Sequence, residues 1–386
     1  MAGERKKIRF GLIGLGLMGR EFASATARWC HLLDDGPVPV ISAICSRTRS
    51  KWSWFMDNFP SISLATDDYR KLVESDTVDA VYAAVPHSLH AEVFTAVIEA
   101  GKHLLGEKPF GIDLAANRRI VEAARARPEI VAMCCSEFPY FPGAQRLVRW
   151  ARERRYGRLI EVRAGFYHCS DMDPHKPINW KRQVATNGEY GCMGDLGMHT
   201  QHIPFRLGWI PRSVYGSFDK IVRERPDGTG GMAPCDTWDN ATLLCRCEDR
   251  AAGWQFPMIL ETRRMAPGHM NTWFIEVYGT EESARFSTKN PKSFCTLKRD
   301  RQAWCCEDVG SQSIVPTISG GIFEFGFSDA FLQMVAAFMN ELRDVKRAHP
   351  FGPVTLEETM LSHSLMTAAL ESHRSGRRVD LPSEPA

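Results

Sequence analysis

Two short segments of the chain carry side chains that could move a proton. Glu107-Lys108-Pro109 follows an apolar run at residues 103–105, and the Lys108 amine could hydrogen-bond a substrate hydroxyl. Asp195 and His199 lie four residues apart, so on a helix both side chains would point to one face. The imidazole could then act as a base on a hydroxyl that the carboxylate orients.

Each segment also has a simpler interpretation when it is considered alone. An E-K-P tripeptide is common in solvated loops, and an aspartate followed by a histidine fits a helix N-cap with a core imidazole. The position of Lys108 favours a functional role, because Glu107 and Lys108 follow a predicted strand, at whose carboxyl end a nucleotide would bind. A nearby positive charge or partial desolvation would lower the pKa of such a lysine.

A glycine-rich turn near the start of the chain predicts a dinucleotide site. The apolar run at residues 8–13 leads into Gly14-Leu15-Gly16-Leu17-Met18-Gly19 and then into a helix-compatible segment. In this order Gly14 permits the turn, Gly16 lets the backbone approach a pyrophosphate, and Gly19 allows the helix to pack on the strand. We therefore predict that Gly14, Gly16, Leu17, Met18 and Gly19 bind the cofactor at a helix N-terminus.

The choice of cofactor depends on Cys45-Ser46-Arg47-Thr48-Arg49, which ends the second predicted strand. This segment contains no acidic residue to bind a ribose diol, whereas the Ser46 hydroxyl and the Arg47 and Arg49 guanidiniums could hold a 2′-phosphate. The residues therefore favour NADP over NAD. Similar Ser-Arg pairs also occur in proteins that use NAD, so both cofactors remain open.

The elements that must position these residues fall into two parts. Apolar runs at 8–13, 40–45, 79–85, 103–105 and 130–135 alternate with helical segments at 67–75, 89–100 and 114–125, which predicts a doubly wound parallel sheet of α/β class. Later segments at 160–168, 214–222, 240–247, 254–261, 273–278 and 294–298 are of β type, and helices are predicted at 144–155, 329–347 and 356–372. We predict a dinucleotide-binding domain at 1–137 and a substrate-binding and oligomerisation domain at 138–386, whose C-terminal helix packs back on the first domain.

Composition excludes several other classes of protein. The 386-residue chain has a net charge of +2, which gives no electrostatic footprint for nucleic acid. It contains neither a signal-type apolar core at its start nor a run long enough to span a bilayer, so we expect a cytoplasmic protein without a membrane partner.

The 12 cysteines form no C-x-x-C pair and are expected to be core thiols. His168, Cys169, Asp171, Asp173 and His175 lack regular ligand spacing, so we predict a polar loop and no metal site.

Four motifs in the same order resemble the Gfo/Idh/MocA oxidoreductases from about residue 8 to residue 381. Besides the glycine turn, Val85-Pro86-His87-Ser88-Leu89-His90 is similar to the family's T-P-N-x-x-H segment at the nicotinamide. Residues 101–109 resemble its G-K-H-V-x-x-E-K-P signature, and residues 195–199 match its D-x-G-x-H. The turn at residues 278–281 also resembles a late G-T-x-G turn of the family.

The resemblance implies a fold, an activity and roles for these residues. It implies a Rossmann domain followed by a C-terminal α/β domain with an open, mostly antiparallel sheet, whose free face forms subunit contacts in a homo-oligomer, a dimer or tetramer. It implies hydride transfer between NAD(P) and a sugar-like secondary alcohol. Lys108 would polarise the reacting oxygen, Asp195 would hold the lysine or substrate, and His199 would move the proton. Pro86, His87, His90, Glu107 and Lys108 would line the cofactor.

The chain also departs from the family at positions that shape a pocket. Glycines common before the aspartate are replaced by bulkier residues, His87 replaces a frequent asparagine, and His202 replaces a frequent aspartate. An arginine that is common near the domain junction is missing from Glu137-Phe138-Pro139-Tyr140. The substrate therefore cannot be borrowed from a typical member. Polar and aromatic side chains suited to a carbohydrate-like ligand are the remaining predicted substrate residues, alongside Lys108, Asp195 and His199: Tyr167, His168, Trp180, Lys181, Arg182 and Tyr190.

Three functions follow from these residues. The first is an NAD(P)-dependent dehydrogenase or reductase acting on a hydroxyl or keto group of a sugar, cyclitol or glycoside. The second is a glycoside-cleaving enzyme that retains its nicotinamide cofactor and oxidises its substrate transiently. The third is a non-catalytic NADP-sensing regulator, which would have no reason to keep Lys108, Asp195 and His199 together.

Overall fold

The computed structural model describes residues 5–310, 313–343 and 351–382. Its strands, in chain order, are β1 Lys7–Ile13, β2 Val38–Cys45, β3 Leu64–Thr66, β4 Ala80–Ala83, β5 His103–Gly106, β6 Ala132–Cys134, β7 Leu159–His168, β8 Trp209–Asp219, β9 Glu224–Pro226, β10 Met232–Pro234, β11 Asn240–Asp249, β12 Trp254–Arg263, β13 Asn271–Gly279, β14 Glu282–Ser287, β15 Ser293–Lys298, β16 Cys305–Asp308 and β17 Val379–Asp380. Its helices are α1 Leu17–Ala27, α2 Trp52–Asn58, α3 Tyr69–Val73, α4 His90–Glu99, α5 Leu114–Arg125, α6 Pro142–Arg152, α7 Val184–Asn187, α8 Cys192–Arg206, α9 Phe327–Glu341 and α10 Leu356–Ser375.

The chain divides into two units by its internal contacts. The described part of unit 1 comprises residues 5–111, 115–140, 313–343 and 351–356, and that of unit 2 comprises residues 112–114, 141–310 and 357–382. Apart from residues 112–114, the chain stays in unit 1 up to Tyr140, which lies close to the predicted boundary after residue 137. Unit 1 also contains α9, a segment that the prediction had given to the second domain, and α9 packs on α1.

Unit 1 is built on a six-stranded parallel sheet in the order β3-β2-β1-β4-β5-β6. Phe10, Phe22 and Tyr82 form an aromatic core between the sheet and α1, with the Phe22 and Tyr82 rings stacked at 4.5 Å. Because the strand order reverses at β1, the connections that follow β1 and β4 lead away to opposite sides and leave a crevice of the kind that binds nucleotides. The predicted doubly wound sheet is confirmed.

Unit 2 is built on a nine-stranded sheet in the order β16-β15-β14-β13-β7-β12-β11-β8-β17. Its pairs are antiparallel except for β7 and β12, which run parallel, so the predicted mostly antiparallel sheet is confirmed. Side chains alternate between two faces, and Val162, Ala164 and Phe166 of β7 lie on the face that α8 covers. The opposite face carries Arg163 and Tyr167 of β7.

Most predicted elements agree with the structure to within a few residues. The differences are α3, which is shorter than predicted, and β8, which begins five residues before the predicted run at 214–222. The prediction also omitted several elements, most of which carry too few residues for a periodic signal: α2, α7, β3, β9, β10, β14, β16 and β17. The predicted end of α9 at Arg347 lies outside the described residues.

One expectation about the cysteines is wrong. Cys295 of β15 and Cys306 of β16 face each other across an antiparallel pair and form a disulfide bond, so not all of the cysteines are thiols. The prediction failed because these two residues are brought together by a hairpin that the sequence pattern did not indicate. Seven other cysteines are buried, in agreement with core packing. No helix in the described residues is long and apolar enough to cross a membrane.

Candidate functional sites

The glycine turn of unit 1 is fixed by steric contacts with the neighbouring strand. Gly14 has a φ of +99°, and a Cβ added there would lie 2.1 Å from the Ala84 carbonyl oxygen. A Cβ on Gly19 would lie 2.4 Å from the Gly14 carbonyl oxygen. A Cβ on Gly16 would meet nothing within 4 Å. Thus Gly14 and Gly19 are required by the fold, whereas Gly16 leaves open space in front of the backbone.

That open space lies at the N-terminus of α1. Gly16 is the N-cap residue, so it offers no side chain to the first N–H groups of the helix, and Leu17 is 73% exposed. Met18 is half-buried and Gly19 is buried. Free backbone donors and a positive helix end next to a position without a side chain fit a pyrophosphate. The predicted residues therefore have the form that an NAD(P)-binding turn needs.

The loop after β2 brings an acid close to the predicted phosphate-binding arginines. Arg49 forms an ion pair at 2.8 Å with Asp67, which follows the neighbouring strand β3, and its guanidinium lies over Trp52. Arg47 is exposed and forms no ion pair with any described residue. Ser46 accepts a hydrogen bond from the Thr48 N–H. Asp67 lies outside residues 45–49, so the local sequence does not indicate it, and the parallel pairing of β2 with β3 brings it there.

The two histidines after β4 are buried. The Gly111 N–H donates to Nδ1 of His90, so the ring proton lies on Nε2, which donates to the Val85 carbonyl 3.1 Å away. His90 is 0% exposed, and both of its ring nitrogens have partners in the protein. It therefore holds the Pro86–His87 turn in place, and the His87 ring packs against it at 5.3 Å. This arrangement favours an indirect role for His90 in the predicted cofactor site.

Glu107 and Lys108 follow β5 at the carboxyl edge of the sheet. Glu107 is buried and accepts a hydrogen bond of 2.7 Å from the Tyr82 hydroxyl. Lys108 is half-buried. Glu137, after the adjacent strand β6, is also buried, and this burial together with the charge of Glu107 raises its pKa to about 8, although Lys108 opposes the rise. Glu137 was noted in the sequence only as a departure from a family pattern.

The principal candidate site of unit 2 is helix α8. It starts after Gly191, whose φ is +57° and whose added Cβ would lie 2.6 Å from the Trp238 amide nitrogen. The helix runs from Cys192 to Arg206 and is buried over nearly its whole length. Asp195 and His199 therefore lie one turn apart on the same face, as the spacing predicts.

Asp195 is held by two cations. Its carboxylate accepts hydrogen bonds of 2.8 and 3.0 Å from the Lys181 ammonium, and the Arg264 Nε lies 3.6 Å away. The side chains of Asp195 and Arg264 are 5% and 3% exposed, whereas that of Lys181 is 40% exposed. Lys181 was predicted as a substrate residue, and here it is also the direct partner of Asp195. Arg264 was missed, because nothing in its local sequence separates it from the adjacent Arg263.

His199 is fixed through contacts on both its ring and its backbone. The ring meets Phe166 of β7 edge-on at 5.4 Å, and its carbonyl accepts a hydrogen bond from the Trp273 indole. The ring is 3% exposed. The next polar residue along this face is His202, whose burial lowers its pKa to about 3 and keeps it neutral near Glu358.

Two residues predicted to bind substrate are buried and paired with other protein side chains. Arg182 is 0% exposed and pairs with Asp171 and Asp239, so its guanidinium is committed to the protein interior. Tyr190 is buried and shares a 2.6 Å hydrogen bond with Thr367 of α10, and burial raises its pKa to about 12. Both arrangements favour fixing the segment before α8 over contact with a ligand.

Tyr167 and His168 are adjacent in sequence but lie on opposite faces of the sheet. The His168 ring packs on Phe166, on the face that α8 covers. Tyr167 lies on the other face, where its hydroxyl donates to Glu261 at 2.6 Å beneath the Arg263 guanidinium. Grouping Tyr167 with the α8 residues therefore contradicts strand alternation. Trp180 lies next to Lys181 and is half-buried.

The polar loop considered for metal binding is occupied by ion pairs. Asp171 binds Lys176 and Arg182, and Asp173 accepts a hydrogen bond from the His175 N–H. No group of three or more His, Cys, Asp or Glu residues within the described ranges could hold a metal ion.

Comparisons with known proteins identify both halves of the chain. Residues 8–134 match the oxidoreductase family with an NAD-binding Rossmann fold, and residues 144–285 match the GFO/IDH/MocA C-terminal domain. Levoglucosan dehydrogenase of Pseudarthrobacter phenanthrenivorans is 25% identical over 73% of this chain and 74% of its own length. D-xylose 1-dehydrogenase (NADP(+)) of Hypocrea jecorina is 40% identical over 46% of this chain and 45% of its own.

A solved structure extends the likeness to the whole fold. Levoglucosan dehydrogenase in complex with NADH and L-sorbose superposes with a TM-score of 0.85 at 22% identity, covering 98% of this chain and 99% of that one. The two matched regions, together with the glycine turn of unit 1 and the open sheet of unit 2, lead to one assignment. The chain belongs to the Gfo/Idh/MocA family of oxidoreductases.

Proposed function

We propose that the protein transfers a hydride between a nicotinamide cofactor and a secondary hydroxyl or keto group of a sugar, cyclitol or glycoside. The observation that carries this proposal is the buried face of α8, where Asp195 is fixed by Lys181 and Arg264 one turn before His199. A carboxylate whose position is set by two cations can orient a hydroxyl, and an imidazole can take its proton.

The proposed roles follow from the surroundings of each residue. Lys108, half-buried next to the buried Glu107, polarises the reacting oxygen. Asp195 orients the substrate, because its charge is balanced by Lys181 and Arg264 and it therefore remains ionised when buried. His199 accepts the hydroxyl proton. The nicotinamide, when bound, supplies the hydride acceptor or donor.

The glycine turn would hold the pyrophosphate of the cofactor. Gly14, Gly16 and the first residues of α1, Leu17, Met18 and Gly19, supply backbone for this contact. We propose NADP over NAD, because Arg47 is exposed and without an ion pair among the described residues, and so could take a 2′-phosphate. Asp67 is the competing feature, since a carboxylate suits the ribose diol of NAD. Relatives named for each form support both cofactors.

A carbohydrate-like substrate is supported by the residues around Asp195 and by the named relatives, which are sugar dehydrogenases. Lys181 is partly exposed beside its carboxylate partner and next to the Trp180 ring, so an ammonium and an indole could take a hydroxyl and a pyranose face. His168 lies on the sheet face that α8 covers, and its ring and that of His199 both contact Phe166. Arg182, Tyr190 and Tyr167 support this role least.

We further propose that the protein forms a homo-oligomer through the face of the unit 2 sheet opposite α8. Leu244 and Tyr215 face each other on β11 and β8 and are 51% and 46% exposed. A sheet face with such side chains next to Tyr167 and Arg263 suits burial against a second copy. Light scattering of wild type and Leu244→Arg tests this, and a monomeric wild type would contradict it.

The test of the proposed activity is a panel of aldoses, polyols and glycosides, assayed with NAD and NADP by absorbance of the reduced cofactor. We expect net cofactor reduction with at least one sugar alcohol. Lys108→Ala should lower that rate by about 10²–10⁴-fold while the variant still binds cofactor.

The other functions give different results in this assay. Product release from a glycoside without net cofactor reduction would indicate redox-neutral cleavage. Cofactor binding without turnover across the panel would indicate a regulator. Either result would overturn the proposed dehydrogenase.

A further inference from the structure

Two buried carboxyl groups lie at the carboxyl edge of the unit 1 sheet. Glu107 comes directly after β5, and Glu137 comes three residues after the end of the neighbouring strand β6. The Cys135 N–H donates to the Gly106 carbonyl, which extends the contact between the two segments beyond the strands. Glu107 and Glu137 are 7% and 5% exposed. Two buried acids at the ends of neighbouring strands, one of them directly before Lys108 in the sequence, require an explanation, because like charges in a buried site oppose ionisation.

The surroundings of the two carboxyl groups differ. Glu107 accepts the Tyr82 hydroxyl at 2.7 Å from β4, and the Cys135 thiol of the β6 side also donates to it. Glu107 is therefore held by two side-chain donors. Glu137 has its own backbone N–H as a favourable partner, and its pKa rises to about 8 because burial and the Glu107 charge outweigh the attraction of Lys108. Tyr82, Cys134 and Cys135 also face this cluster, and burial raises the pKa of Tyr82 and of Cys135.

We propose that Glu137 is a positioning residue for Lys108, carrying the single proton of a Glu107–Glu137 carboxyl pair so that the Lys108 amine faces one negative charge and not two. The inference rests on the proposed role of Lys108 at the reacting oxygen. A second carboxylate would stabilise the ammonium further and raise the pKa of Lys108. The protonated Glu137 therefore keeps the amine closer to the pH range in which it can exchange a proton.

The direction of the effect is the same whether Lys108 acts as a cation or as a free amine. In wild type, rising pH ionises Glu137 and so delays the loss of the Lys108 proton. In Glu137→Gln the second charge never forms, so the Lys108 proton is lost at lower pH. We expect the limb of the pH–rate profile that disappears in Lys108→Ala to move down by about one pH unit in Glu137→Gln.

The first experiment does not depend on enzyme activity. Protein labelled with ¹³C at the glutamate carboxyl carbons is titrated by NMR without ligand, and one resonance should titrate near pH 8. It should vanish in Glu137→Gln and also in Glu137→Asp, which provides the assignment if one variant folds poorly. Wild type with every glutamate titrating below pH 6 would overturn the proposal, even if the protein proves to be a dehydrogenase.

The second experiment measures kcat/KM against pH for wild type, Glu137→Gln and a matched control. Glu282→Gln is the control, because Glu282 is a buried glutamate paired with Arg155 in unit 2. A downward shift of the Lys108 limb in Glu137→Gln alone supports the positioning role. Unchanged limbs with only a lower rate would indicate a structural role and overturn it. If no substrate is turned over, the proposed function fails while the NMR titration still decides whether Glu137 carries the proton.

Discussion

The glycine turn of unit 1 and helix α8 of unit 2 are built in opposite ways. The turn depends on the absence of side chains at Gly14 and Gly19, because a Cβ atom at either position would overlap a backbone carbonyl oxygen. Helix α8 depends on side chains that balance one another, since Asp195 is buried only because Lys181 and Arg264 neutralise it. One region has a steric requirement and the other has an electrostatic requirement.

This difference determines how each region responds to substitution. A steric requirement at Gly14 tolerates no larger side chain, because both the φ angle and the Ala84 carbonyl exclude it. An electrostatic requirement at Asp195 is shared among three residues, so removing one leaves part of the balance intact. We therefore expect all-or-none effects in the turn and graded effects around α8.

The largest effect is expected for Gly14→Ala. The positive φ and the overlap with the Ala84 carbonyl together should cost about 3–6 kcal/mol of unfolding free energy, enough to remove most of the stability of unit 1. Gly16→Ala is the matched control, since its Cβ meets nothing within 4 Å. Urea denaturation should separate the two variants, with Gly16→Ala close to wild type in stability but weaker in cofactor binding by calorimetry. Equal stability of the two variants would show that the turn relaxes and that the steric argument is incorrect.

The sequence could predict the turn and the alternation of elements because their causes are local. Glycine spacing and apolar periodicity lie within a few residues, and the predicted α/β fold and the Asp195–His199 face followed from them. Partners brought together by the fold were not predictable in this way. Arg264 and Lys181 reach Asp195 from separate segments, and Asp67 reaches Arg49 through the pairing of β2 with β3.

Strand alternation and burial separate some of the predicted substrate residues from the face that α8 covers. Tyr167 is of a residue type expected in a sugar site, but the alternation of side chains along β7 places it on the face opposite α8. Arg182 follows Lys181 directly, yet it is completely buried between Asp171 and Asp239. The residue types predicted that polar side chains are present in these segments. Which of them face α8 depends on the register of the strand and on the burial of each side chain.

An intermediate effect is expected around Asp195. Asp195→Asn leaves Arg264 buried without its carboxylate and should lower the unfolding free energy by about 2–3 kcal/mol, below the ~3–5 kcal/mol of a fully buried pair because Lys181 is partly exposed. Lys181→Met should cost less, because Asp195 keeps Arg264. Chemical denaturation of both single variants and the double variant gives the coupling energy.

The graded behaviour of this site requires that the double variant lose less stability than the sum of the two single variants. Asp239→Asn is a useful comparison, because Asp239 pairs with Arg182, whose side chain is fully buried, and it should cost more than Asp195→Asn. Additive losses at Asp195 and Lys181 would show that their contact contributes little to folding. The contrast between the turn and α8 would then lie in packing and not in charge balance.

The smallest effect is expected at Arg47, and it tests whether electrostatics also act beside the steric turn. A charge-assisted hydrogen bond to a 2′-phosphate is worth about 1.5–3 kcal/mol, or about ten- to a hundredfold in affinity. Arg47→Ala should therefore weaken NADP binding by that factor and NAD binding little, as measured by calorimetric titration. Arg49→Ala is the comparison variant, because Arg49 pairs with Asp67 at 2.8 Å and its loss would free that carboxylate. The freed Asp67 should then favour the ribose diol of NAD and oppose the phosphate of NADP. Both variants should therefore shift the preference towards NAD. Arg47→Ala should do so by losing NADP affinity, whereas Arg49→Ala should also gain NAD affinity. If wild type binds NAD more tightly and Arg47→Ala changes neither affinity, Asp67 and not Arg47 determines the cofactor, and the preference for NADP is wrong.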